Sequence, residues 1–296
     1  MSAVTVAGAG AGQRVAGRKR SVRRRGSISW SVLAWLVALI FFFPILWMVL
    51  TSLKPAPLAA TIPPTITFNP TLGNYQNAVS QSNPTFFGYL VNSAIASLAS
   101  TALVIVLALP AAYALSIRPI KRSRDALFFF ISTRFMPFAA GFFALYELAI
   151  NLHLIDNILV LVIIYTSMNL PLGVWLLRSF MLEIPPELFE AARLDGAGFR
   201  SELVNIVLPL IAPGAAATAL ICLIFSWNEF FYAVNLTGAN AGTVPIWLQG
   251  WLPTASTPYY LASLSAAATL ACLPVILAGW IAQKRLVRGL TMGAVK

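Results

Sequence analysis

Six apolar runs, at residues 28–53, 88–117, 126–150, 157–178, 207–234 and 259–283, set the terms on which this chain can fold. Each supplies the ~20 residues that a helix needs to cross a hydrocarbon layer. In lipid every backbone N–H and C=O must find its partner within the protein, so runs of this kind cross as helices. Composition closes off a soluble alternative. Of 296 residues, 59% are hydrophobic and only 10% are charged, whereas soluble domains carry about 25% charged residues. The expected fold class is an all-α membrane protein with six transmembrane helices. Proline falls within five of the runs (Pro44, Pro110, Pro137, Pro171, Pro274) and near the start of the fifth (Pro209, Pro213). Kinked helices are tolerated where neighbouring helices satisfy the freed carbonyls, which favours a packed bundle over isolated anchors.

The formal net charge of +11 raises nucleic acid as a partner, but its distribution argues against that. Seven basic residues lie in the Gly/Ala/Ser-rich segment 1–26, four follow the second run, three follow the fourth, and four lie at the C-terminus, which makes eighteen of twenty. With both termini placed in the cytoplasm, these segments all fall on the inner side, leaving only Lys54 outside and Arg134 within a span. The basic balance is thus a topology signal, and the localisation expected is the plasma (cytoplasmic) membrane. Segment 1–26 lacks apolar periodicity and is expected to be a disordered tail. The first run is too long for a signal-peptide core and reads as a signal anchor within a permease domain at 27–296. On the outside, Trp247 and Trp251 are expected at the lipid–water interface. Cys222 and Cys272 lie inside apolar runs and read as free core thiols with no disulfide or metal spacing.

One polar segment interrupts this pattern on the inner side: the loop at 183–206, "EIPPELFEAARLDGAGFRSELVNI". Pro185 and Pro186 suit the start of a helix, where an amide has no partner, and Glu187 and Glu190 favour its N-terminus. Leu188, Ala191, Ala192 and Asp195 recur at helical spacing on one face, and the two alanines permit close approach by another surface. Gly196 is placed to end the helix in a left-handed conformation, with Gly198 as a second hinge. A second short helix is expected to carry Phe199, Leu203 and Ile206 on one side before Pro209 opens the next span. The alternative is an amphipathic connector lying on lipid headgroups.

Glu190-Ala191-Ala192, then Gly196, then Ile206-x-Leu208-Pro209 resembles the EAA loop of ABC importer permeases. The stretches 72–93, 225–237 and 283–296 resemble the carbohydrate-uptake, MalG-like branch, so that roughly residues 28–296 are covered. The resemblance departs at His153, where such proteins often have glycine. It implies that Glu190, Ala191, Ala192, Asp195 and Gly196 dock a cytoplasmic ATPase, supported by Phe199, Leu203 and Ile206. It further implies a sister permease subunit, two copies of the ATPase carrying ATP and Mg, an extracellular or periplasmic solute-binding protein and a carbohydrate substrate. This chain has no Gly-Lys pair and so no phosphate loop of its own, and it shows no pattern of catalytic or metal-binding residues.

Polar groups inside spans are costly and point to function or to helix pairing. Arg134 either snorkels to the inner interface or faces the translocation path. Glu147 and Asn151, one turn apart, and Trp227, Asn228 and Glu229 are further path candidates, since sugars take paired polar groups and an aromatic face. Two rival readings stay open. One is an ion-coupled secondary transporter using Arg134, Glu147 and Glu229; the other is an ABC permease for a non-sugar solute.

Overall fold

A computed structural model describes residues 25–80, 85–117, 121–135, 138–254 and 256–292; the expected tail at 1–26 lies almost wholly outside them. Among the described residues the regular structure is helical. In chain order the helices are α1 (Arg25–Ser52), α2 (Ala56–Ala59), α3 (Gly73–Ser80), α4 (Phe86–Ser116), α5 (Ser123–Phe135), α6 (Phe138–Asn151), α7 (Ile158–Met181) and α8 (Pro186–Leu194). They continue with α9 (Phe199–Ser201), a π-helical turn (Glu202–Val207), α10 (Leu208–Trp227), α11 (Phe231–Leu236), α12 (Val244–Gln249) and α13 (Tyr260–Met292).

Among the described residues, five stretches are long and apolar enough to cross a membrane: Trp30–Ser52, Phe86–Ser116, Ile158–Met181, Phe199–Trp227 and Tyr260–Gln283. Within the sequence run at 126–150 the described residues form α5, of 13 residues, and α6, of 14. Residues 136–137, with Pro137, lie between them and outside the described set. One departure concerns 199–207. The short α9 and the π-helical turn run on into α10, so the fourth membrane-length stretch begins at Phe199 and ends at Trp227. The cause is Pro209, which cannot donate to the Asn205 carbonyl and whose ring crowds it. A π-helical turn immediately before the proline widens the backbone, with Leu208 N–H bonding the Leu203 carbonyl, so the helix passes through instead of breaking.

The chain divides after Leu46 into two units. The first holds the N-terminal part of α1, whose residues 30–46 are all exposed. A helix apolar on every side suits lipid surroundings. In the second unit, α4 and α7 run side by side in the same direction. Their C-terminal ends meet where Arg178 Nε donates to the Leu115 carbonyl at 3.1 Å. Gly173 permits the close contact higher up, because a Cβ there would fall 2.6 Å from Val104 Cγ1 and 3.4 Å from Ala108 Cβ. Small residues at a crossing let backbones approach, which is how helices gain packing energy where lipid supplies no hydrophobic drive. α10 runs antiparallel to this pair and α13 antiparallel to α10. A buried polar knot ties three of the helices: Asn169 Nδ2 donates to Ser226 Oγ at 3.0 Å, and Ser226 Oγ lies 3.2 Å from Ser100 Oγ.

Two sequence expectations fail in this core. Trp247 and Trp251 are 3% and 8% exposed, so they are not interfacial. They pack with Phe86, Trp227 and Ala267, because α12 folds back onto the bundle and turns both rings inward. Cys222 is buried as expected, but Cys272 is exposed. It points off the outer side of α13, where its weakly polar thiol costs little in an apolar setting.

At the end opposite α8, the loop before α12 is stapled by Asp156. Its carboxylate accepts N–H groups from Gly238 at 2.7 Å, Ala241 at 2.9 Å and Asn240 at 3.1 Å, together with the Asn240 side chain at 2.9 Å. Burial works to raise this carboxyl, but the bonds from Ala241, Gly238 and Asn240 outweigh it and hold Asp156 below its ordinary 3.8. A depressed carboxylate contributes stability above its unfolded pKa and loses it as pH falls through the folded value. The staple is therefore fully present at neutral pH and is lost only below pH 3.8. Asp156→Ala is expected to speed amide exchange at 238, 240 and 241 by about tenfold at pH 7, since charge-assisted bonds are the stronger class. The preceding turn also accounts for the sequence departure at His153, whose φ of 54 lies in the left-handed region that glycine adopts without strain.

Candidate functional site

The polar loop is built as its residues require. α8 opens with Pro186 in its first turn and Glu187 beside it, where a missing amide costs nothing and a negative charge meets the helix dipole. It closes on Gly196 at φ 83, with the Gly196 N–H bonding the Arg193 carbonyl at 3.1 Å and the Ala197 N–H reaching the Ala192 carbonyl at 2.9 Å. Those two bonds form the Schellman closure, which needs a residue free to take positive φ. α8 is thus a nine-residue helix that opens on a proline and closes on a glycine.

One aromatic side chain roots it. Phe189 is 4% exposed and lies in the apolar cluster with Tyr113, Leu203, Val207 and Ile211. Its ring meets Tyr113 of α4 edge-on, and Phe199 meets the same tyrosine with centroids 5.2 Å apart. Of the residues the sequence singles out, Glu190, Ala191, Asp195, Gly196 and Phe199 are exposed and Ala192 is half-buried. Leu188 and Leu194 are exposed as well, Leu194 to 89%. Leu203 is buried in the cluster with Phe189, and Ile206 is half-buried. The arrangement is a helix anchored by one aromatic that presents acids, small residues and two leucines outward.

Beneath it lies a contact that the sequence reading missed. Glu202, at the start of the π-helical turn, is fully buried. It accepts a hydrogen bond from the Tyr113 hydroxyl, and Arg193 Nε donates to its other oxygen at 3.0 Å. The signal was faint: an acid set among apolar residues, nine positions after an arginine, with a glycine bend between to bring them together.

The candidates within the spans fall into separate places. Arg134 is turned toward α7, donating from Nη1 to the Met168 carbonyl at 2.8 Å and lying 5.0 Å from the Phe225 ring centre; it does not reach toward an interface. It borders a cavity of about 240 Å³ whose polar lining also includes Thr133, Ser167 and Tyr232. Glu229 caps α11, accepting the N–H groups of Tyr232 at 3.0 Å and Ala233 at 3.2 Å. Trp227 is buried and donates to the Ala271 carbonyl on α13 at 3.2 Å, while Asn228 bonds its own helix at Ile224. Glu147 and Asn151 are exposed on α6 and do not line the cavity.

Residues 5–292 match the family described as Binding-protein-dependent transport system inner membrane component. A probable ABC transporter permease of Sinorhizobium fredii is 35% identical over 274 residues, covering 93% of this chain and 97% of its own length. The trehalose transport system permease of Mycobacterium tuberculosis is 30% identical over 276 residues, covering 92% and 98%. The fold is similar to that in the crystal structure of a bacterial ABC transporter involved in importing the acidic polysaccharide alginate, with a TM-score of 0.70 at 23% identity over 88% of this chain and 96% of the other. The chain belongs to the binding-protein-dependent transport system inner membrane components, the multi-pass permeases of ABC transporters.

Proposed function

We propose that this chain is the membrane-spanning permease subunit of an ABC importer that carries a carbohydrate into the cytoplasm. The observation that carries the reading is α8: a short helix rooted by the Phe189 ring and the Arg193–Glu202 pair, with Leu188, Glu190, Ala191, Leu194 and Asp195 exposed to meet a partner. ATP hydrolysis, with its Mg, falls to two copies of a separate ATPase that grips this helix through Glu190, Ala191, Ala192, Asp195 and Gly196. A sister permease completes the path, and an external binding protein delivers the solute. In this reading both termini are cytoplasmic, and α5 and α6 together make the sixth crossing. At 13 and 14 residues, neither reaches the length needed alone. Relatives are named as permeases of a trehalose transport system, a sulfoquinovosyl glycerol transport system and a diacetylchitobiose uptake system, which supports a saccharide as cargo.

Rigid-body rearrangement biased by nucleotide moves such a path between its two faces. The cavity beside Arg134 is the part of the path this chain lines. Its guanidinium, Thr133, Ser167 and Tyr232 supply the paired polar groups that sugar hydroxyls take. Arg134→Met is expected to raise the half-saturating solute concentration about tenfold with ATP hydrolysis intact, a loss of about 1.4 kcal/mol of binding. Uptake into proteoliposomes holding the four-chain complex checks both points. Accumulation that requires ATP and the binding protein supports the reading, and accumulation by this chain alone on a proton gradient contradicts it.

A further inference from the structure

We infer that Glu202 is a positioning residue that latches α8 to the membrane helix α4 across the Gly196 bend, so that motion imposed on α8 is delivered to the bundle. The inference rests on the reading of α8 as the docking helix. Gly196 at φ 83 and Gly198 leave the backbone between α8 and α10 free to flex, and a Cβ at either glycine would meet nothing within 4 Å. A push on α8 would then be absorbed at the bend unless something spans it.

The Arg193–Glu202 pair does so. Arg193 belongs to the last turn of α8 and Glu202 to the first turn after the bend, nine positions later, and the guanidinium engages both carboxylate oxygens at 3.0 and 3.4 Å. Glu202 is fully enclosed while the Arg193 side chain is 40% exposed, so the anion is the fixed end of the pair and the cation the arm that reaches it. The second oxygen takes the Tyr113 hydroxyl, which carries the link into α4. Tyr113 is itself 1% exposed and wedged between Phe189 and Phe199. One carboxylate thereby joins three elements: α8, the π-helical turn that leads into α10, and α4. A buried charge keeps its place only while paired and hydrogen-bonded, so the three elements move together or the latch breaks.

Replacing the carboxylate by its amide tests this with little change in volume. In the complete complex with ATPase, sister permease and binding protein, Glu202→Gln is expected to lower the solute moved per ATP hydrolysed by about fivefold or more, with ATP hydrolysis still under way. Arg193→Gln is expected to do the same, and the double variant to be no worse than either single one, because the pair acts as a unit. Amide exchange over 187–194 in the same complexes is expected to quicken about tenfold as α8 loosens. A merely structural role would leave the solute-to-ATP ratio unchanged. An unchanged ratio in Glu202→Gln, or additive losses in the double variant, overturns the latch. If the unaltered complex moves no solute with ATP, the functional reading fails by itself, and unquickened exchange in Glu202→Gln then overturns the physical link independently. Should Glu202→Gln not assemble, Tyr113→Phe, which removes only the hydroxyl, is expected to lower the ratio in the same direction, and no change there counts against the latch.

Discussion

Gly196→Pro is expected to leave the chain inserted and assembled while cutting ATP-driven uptake about a hundredfold, a loss equal to the ~3 kcal/mol that a misplaced proline costs. Two effects combine. Gly196 sits at φ 83, and proline is locked near −65°, so the backbone must leave the conformation that closes α8. Proline also removes the N–H that bonds the Arg193 carbonyl at 3.1 Å. Steric collision plays no part, because a side chain at 196 meets open space. Gly196→Ala keeps the N–H and pays only the left-handed strain of about 1–2 kcal/mol, so an intermediate loss is expected. Gly198 is equally open but has φ −83, and Gly198→Ala is expected to change uptake by less than about twofold. Uptake and membrane-fraction abundance measured side by side for the three variants check the series.

The largest effect on stability is expected at the α4–α7 crossing. A Cβ on Gly173 would lie 2.6 Å from Val104 Cγ1, inside any real contact distance. Val104 is fully buried and, being β-branched, has little rotamer freedom with which to yield. Gly173→Leu therefore forces the two helices apart and is expected to cost about 3 kcal/mol, the upper end for overpacking a close contact. Gly279 lies in α13 with nothing within 4 Å of its Cβ position, and Gly279→Ala is expected to be neutral or slightly stabilising, by up to about 1 kcal/mol. Unfolding of the purified chain in mixed detergent micelles measures both. Equal midpoints for the two variants would refute the close-crossing account.

Much of this was legible in the chain itself, for identifiable reasons. Hydropathy located α1, α4, α7, α10 and α13 because a crossing helix must be apolar along its whole length. The ends of α8 were legible because Pro186 and Gly196 act through the local backbone, without reference to the rest of the fold. What could not be read were features decided by tertiary contact. Trp247 and Trp251 look interfacial by position, yet α12 folds inward and buries them. Glu202 looks like one more loop charge until Tyr113, eighty-nine positions earlier, is found against it. Pairings over that distance leave no periodic trace.

The central claim is that α8 is where an ATPase takes hold of this permease. A photo-cross-linking residue placed in turn at Leu188, Ala191 and Leu194, the outward side of α8, tests it in the assembled complex. The account predicts adducts with the ATPase chain from these positions and none from Phe143, exposed on α6, with yields that differ between nucleotide-free and ATP-bound states. A complex that hydrolyses ATP and imports solute while giving no ATPase adduct from any of the three positions would contradict it.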